Sequence, residues 1–297
     1  MRFRAVTTTI AWCLACAASQ SVAQETDEQI VVSGEALEEP GAVRDLVQEM
    51  AADHGPDVPL ARFFDRLCIS VSGLNQVGND YLANRIVENS RAAGLEASSE
   101  CRRANALVLI YGEPAALVDR IVDEQPQLLP AQQLGPVRRA IERGEQVLVW
   151  HNDEVRSRTG RRMAHTSQIV GHDGGSDEAL STNTRIENDN WPSRIDHGTA
   201  RGIVSAAIIF DGDIAAGMEI DRLADYATMR LLAPGLVPLE TDASTSLSVT
   251  APFPVEGGPS TLTKFDTAYL RALYSLPANS PAIRLPRAVA RAYLGED

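Results

Sequence analysis

The sequence predicts an α/β protein in which a mixed sheet is flanked by helices, and three neighbouring segments carry that prediction. Leu67 to Gly73 alternates apolar and polar residues with the two-residue period of a strand. Asn75 is placed to cap a helix running through Leu82, Ile86 and Val87, and Gly94 supplies the usual left-handed stop. Ala106 to Tyr111 is an unbroken apolar run, as in a strand buried on both faces. Strand, helix and strand in this order form a βαβ unit, which places a parallel strand pair in the N-terminal half.

The chain opens with Arg2 and Arg4, an apolar run from Ala5 to Ala18, and Ser21-Val22-Ala23. Basic, apolar and small residues in that order define a secretory signal peptide over 1–23, cleaved after Ala23. The run is too short to anchor in a bilayer. A lipoprotein signal through Cys16 is the alternative, although Cys13 occupies a position where that signal prefers leucine. No later stretch reaches the roughly 20 apolar residues of a spanning helix. Lys264 is the only lysine among 27 basic residues, an arginine bias expected of a high-GC bacterial genome, so export leads to the periplasm or the exterior.

Residues 24–60 read as a flexible lead with a short strand around Ile30-Val31-Val32 and a helix from about Val43 to Met50. A single α/β domain follows over 61–297. Beyond the βαβ unit, Pro114 to Asp123 and Pro136 to Arg143 have proline near their starts, as helices often do. Val147 to Trp150 is a third strand, and 152–198 is a long polar excursion rich in glycine and asparagine. Ile203 to Phe210 is another strand. Ile220, Leu223, Ala224, Ala227 and Leu231 then form one apolar stripe on a helix ending before Pro234. Thr263 with Asp266 makes a capping box for a helix whose buried face is Phe265, Tyr269 and Leu273, and Pro286 to Leu294 is a last short helix.

Removing Arg2 and Arg4 takes the formal charge from −13 to −15. A body this acidic repels polyanions, which excludes nucleic acid as a partner. Arg156, Arg158, Arg161 and Arg162 form one basic cluster, which Asp153 and Glu154 mark as a solvated surface loop. Cys13 and Cys16 leave with the signal, so Cys68 and Cys101 are the mature cysteines. In an oxidising compartment such a pair is most simply a disulfide; two buried free thiols or a two-cysteine zinc site are the alternatives. Both lie near the start of a strand in the βαβ unit, at one end of the parallel pair.

From about Ile203 to Ser275 the order is strand, helix, loop, and a helix opening Leu262-Thr263-Lys264-Phe265-Asp266. This resembles the C-terminal half of zincin metallopeptidases, and of exported bacterial proteins with a zincin-like core. The resemblance puts Leu223 to Thr228 where the His-Glu-x-x-His helix of those enzymes would lie, with Asp225 in the glutamate position and Ala224 and Thr228 in the histidine positions. It implies a related shape without the zinc-binding motif.

The residues left for a metal are His151, His165, His172, His197 and Asp225. No two of the five histidines, His54 included, show the one-turn spacing of a helical metal site, and they read as surface residues. Gly171 to Glu178 lacks the ordered positions of a calcium loop and reads as a flexible turn. Asp221 and Asp225 project from one helix face and read as a solvated face beside Arg222. Nucleophile elbows and phosphate loops are absent from the sequence. The expectation is a non-catalytic exported protein without cofactor that binds an envelope or extracellular partner. A metal-dependent hydrolase with non-standard ligands and a structural envelope protein are the rival readings.

Overall fold

The computed structural model describes residues 37, 39–51, 55–163, 198–236, 247–251 and 258–295. Its centre is a six-stranded, mostly parallel sheet. Strand β1 spans Ala61–Arg62, β2 Leu67–Ser72, β3 Ala97–Ser98, β4 Ala106–Tyr111, β5 Val147–Ser157 and β6 Thr199–Asp211. Strands β3, β2, β4 and β6 neighbour one another in that order and run parallel, with β1 also parallel, against the start of β6. Strand β5 runs antiparallel to β6 from Val147 opposite Phe210 to Ser157 opposite Thr199. The predicted βαβ unit is present: helix α2, Gln76–Ala92, joins β2 to the parallel β4.

The helices form two layers. On one face lie α1 (Pro40–Met50), α2, α6 (Ile220–Leu232), α7 (Lys264–Ser275) and α8 (Leu285–Leu294), packed over Ala106, Val108, Ile110, Ile208 and Phe210. On the other face α3 (Pro114–Glu124) and α4 (Ala131–Glu142) cover Leu107, Leu109, Leu148, Trp150, Ala207 and Ile209. The alternation of side chains along β4, β5 and β6 thus supplies two cores, and this is why β4 is apolar at successive positions. A short helix, α5 (Gly212–Ala216), links β6 to the α6 layer and is capped by Asp211, whose carboxylate accepts from the Asp213 N–H at 2.9 Å.

Local signals in the sequence act as expected at several ends. The Asn75 side chain accepts from the Gly78 N–H at 2.8 Å, and Gly94 has φ +97°. Thr263 and Asp266 close a reciprocal capping box on α7. Helix α1, in the segment read as a flexible lead, buries Val43, Val47 and Met50 in the same core as α8. The short strand expected around Ile30 lies outside the described residues.

Two boundaries differ from the prediction. Helix α4 begins at Ala131, so Pro136 sits inside it rather than at its start. Strand β5 continues through the polar residues 152–157 that read as the beginning of a loop, and β6 begins four residues early, because these polar arms pair with each other. The β5 arm is anchored by Arg156, which is buried rather than solvated: its Nη2 lies 2.7 Å from Asp65 Oδ2, in the link between β1 and β2, and its Nε 2.7 Å from Glu154 Oε1. Gly202 leaves room for it, since a Cβ there would stand 2.6 Å from Arg156 Nε.

Cys68 and Cys101 are disulfide-bonded, with Cα atoms 5.8 Å apart, beside the N-terminal ends of β2 and β4. The bridge closes a 33-residue separation, and loop-closure entropy of that length is worth about 3–4 kcal/mol. Replacing both cysteines by serine is expected to lower unfolding free energy by about 2–4 kcal/mol in urea titrations. Protein beginning at residue 24, unfolded without reductant, should show no titratable thiol; two reactive thiols would contradict the bridge.

Candidate functional site

Helix α6 carries Asp225, the carboxylate singled out in the sequence. Its stripe of Leu223, Ala224, Ala227 and Leu231 is buried as expected, but Ile220, read as the first member of that stripe, is exposed in the first turn of the helix. Asp225 corrects the sequence reading. It is only 1 % exposed rather than part of a solvated face. Its carboxylate meets α2, where Arg85 donates from Nε to Oδ1 and from Nη2 to Oδ2, both at 2.8 Å. Asn89 Nδ2 donates to Oδ1 at 2.6 Å, and the Leu262 N–H donates to Oδ2 at 2.8 Å. Each oxygen therefore accepts two hydrogen bonds. Asp221, one turn earlier and more exposed, lies 3.3 Å from Arg85 Nη1 and accepts from the Tyr81 hydroxyl at 2.5 Å.

This arrangement does not fit zinc. Ala224 offers no ligand atom. The Thr228 hydroxyl donates to the Ala224 carbonyl at 2.8 Å and accepts from Asn89 at 3.2 Å. Asp225 has its lone pairs committed to four donors, and a fixed guanidinium beside it opposes a second cation. A cavity of about 300 Å³ opens beside the pair, lined by Arg85, Asn89, Asp225, Leu262 and Leu270 among others. Among the described residues no three His, Cys, Asp or Glu side chains come together as a potential metal site.

His151 is the histidine that the described residues include; His54, His165, His172 and His197 lie outside them, as does the turn at 171–178. It is half-buried rather than a surface residue. On β5 it faces α6, and its Nε2 lies 3.1 Å from the Leu231 carbonyl, a geometry that puts the ring proton on that nitrogen. The Tyr274 hydroxyl donates to the next carbonyl, Leu232, at 2.9 Å. Together they satisfy carbonyls at the C-terminal end of α6 that have no partner within the helix. Burial lowers the His151 pKa to about 4, with the nearby Arg230 charge adding to the effect.

The larger cavity, about 610 Å³, runs along the outer edge of β5. Val147 to His151 form its floor, Pro136, Val137 and Ala140 of α4 one wall, and Arg230 with Ala233 to Leu236 the other. Arg143, Arg201 and Arg230 line it, with Glu145 and Asp153 as the acidic members. Arg143 pairs with Glu145 at 2.5 Å and Arg201 with Asp153 at 2.8 Å. The Arg230 guanidinium lies 5.8 Å from the Tyr226 ring centre.

Sequence reasoning did not single out Arg85 and Asn89. They lie 140 and 136 residues from Asp225. The available signal was the four-residue spacing of Tyr81, Arg85 and Asn89, a polar stripe beside the buried Leu82 and Ile86. No protein-family model, no curated protein and no solved structure matches the chain.

Proposed function

We propose that this is an exported, non-catalytic protein of the bacterial periplasm or exterior that binds an envelope or extracellular partner, and that the groove beside β5 holds that partner. The observation that carries the reading is Asp225: the carboxylate standing where the zincin resemblance puts the catalytic glutamate is saturated by Arg85, Asn89 and the Leu262 N–H. A carboxylate ion-paired in this way is a poor general base, because taking a proton would discharge one half of a buried pair. The zincin-like part of the reading rests on the order of elements from 203 to 275. Export rests on the signal-peptide pattern of 1–23 and agrees with the disulfide. Among the described residues no helix is long and apolar enough to cross a membrane.

Protein beginning at residue 24, purified without added metal, is expected to carry zinc far below one atom per chain and to leave denatured casein intact. Stoichiometric zinc, removed by a chelator together with a peptidase activity, would overturn the reading in favour of a hydrolase with non-standard ligands.

A further inference from the structure

We infer that β5 takes up an extended acidic segment of a partner protein as an additional strand. This deepens the binding reading above and rests on it. The inner edge of β5 is paired with β6 along its whole length. Its outer edge is closed at the far end, where Arg156 bridges Arg162 and the Ser157 N–H donates to the Arg161 carbonyl at 2.9 Å. From Val147 to Asp153, no strand among the described residues pairs with that edge. A strand edge turns its unpaired N–H and C=O groups outward, and those groups are a template for one more chain. Here they face a groove of about 610 Å³, within the usual size of recognition clefts, with a helix on either side.

The two walls select the side chains of the occupant. In an added strand, successive residues point to opposite faces, so one set meets α4 and the other meets α6. The α4 wall is apolar at Pro136, Val137 and Ala140, and the α6 wall begins with Arg230. Arg230 makes no ion pair with a carboxylate among the described residues, and its attraction to the Tyr226 ring leaves it able to meet one. The lining holds three arginines against two carboxylates, in a chain whose net charge is −13. Arg143 and Arg201 are matched by Glu145 and Asp153, so the groove's surplus positive charge on this acidic protein stands at Arg230. An alternating sequence of apolar and acidic residues matches its floor, its walls and its charge.

The test uses protein beginning at residue 24 and a synthetic heptapeptide, Val-Glu-Val-Glu-Val-Glu-Val, with blocked ends. Calorimetry is expected to show saturable binding, and hydrogen exchange to slow at amides between 147 and 153. Replacing the glutamates by lysine, or methylating alternate peptide nitrogens, is expected to weaken binding at least about tenfold, the first by reversing charge and the second by removing ladder hydrogen bonds. Arg230→Glu should weaken it about tenfold, and the milder Arg230→Gln, expected to weaken it several-fold, serves if the charge reversal folds poorly. Equal binding of the lysine or methylated peptides would overturn strand addition, as would no binding at all. If the glutamate peptide binds only after Glu25, Asp27 and Glu28 are changed to amides, the chain's own lead is the occupant and the partner assignment fails. None of these failures would bring zinc or peptidase activity, so they remain distinguishable from failure of the non-catalytic reading.

Discussion

Arg85→Ala is expected to cost about 3–5 kcal/mol of unfolding free energy in urea titrations at neutral pH, because it strands a buried carboxylate. Asp225 is 1 % exposed, and the substitution leaves it only Asn89 and the Leu262 N–H. Changing both partners should cost much less. In Arg85→Met with Asp225→Asn, the neutral amide keeps an acceptor for the Leu262 N–H and buries no charge. The double variant should therefore recover about half of the loss or more. A loss below about 1 kcal/mol for Arg85→Ala would mean that the pair behaves as a solvent-exposed bridge.

Stability should change little between pH 6 and pH 4.5, because half-buried His151 and fully buried Asp266 work against each other there. His151 is lowered to about 4 by burial. It stays neutral in the folded chain while the unfolded chain, with an ordinary value near 6.5, takes up a proton. Its contribution is complete above about pH 6.5 and is lost as pH falls toward 4, by about 2–3 kcal/mol. Asp266 is raised to about 6 by burial, although Ser248, Thr263 and the Val249 N–H bond to its carboxylate. The folded chain holds that proton where the unfolded chain has released it, so stability is gained on acidification and lost as pH rises through 6, by about 2–3 kcal/mol. His151→Gln, whose amide keeps a donor for the Leu231 carbonyl, removes the first effect. That variant should gain about 2 kcal/mol between pH 7 and pH 4.5 relative to the native chain. Parallel pH profiles for the two proteins would show that His151 titrates normally in the folded state.

What the sequence revealed and what it hid follow from how far apart the interacting residues lie. Alternation in Leu67 to Ser72, the apolar run of β4 and the stripe of α6 are local patterns, and each element appears where its pattern placed it. Caps at Asn75 and Thr263 are equally local. The polar halves of β5 and β6 carry no such signal, because their stability comes from each other and from a buried Arg156 whose partner Asp65 is 91 residues away. Pro136 misled because a proline inside a helix is rarer than one at its start, and packing of Val137 and Ala140 overrides that preference. The same reason concealed the Asp225 environment. A lone aspartate on an amphipathic helix looks solvated until a second helix brings Arg85 to it. The groove could not be read from the sequence either, since it is formed by an edge strand and two helices from opposite layers.

The strand ends hold one further consequence. A Cβ at Gly73, where φ is +121°, would lie 2.1 Å from the Ile110 carbonyl oxygen, and one at Gly212 would lie 3.2 Å from the Gly112 Cα. The turns after β2, β4 and β6 therefore rest main chain on main chain, at the end of the sheet where open α/β folds usually receive their ligands. Turns held this closely have little freedom to lengthen or diverge without separating the strands beneath them. The architecture's capacity for novelty lies at the opposite pole, where β5 leaves the sheet and β6 re-enters it. There the two strands run on past β4 as a pair of polar arms, paired with each other down to Ser157 and Thr199. Substitutions and insertions should therefore be tolerated at that pole and along the β5 margin sooner than at the glycine-closed pole.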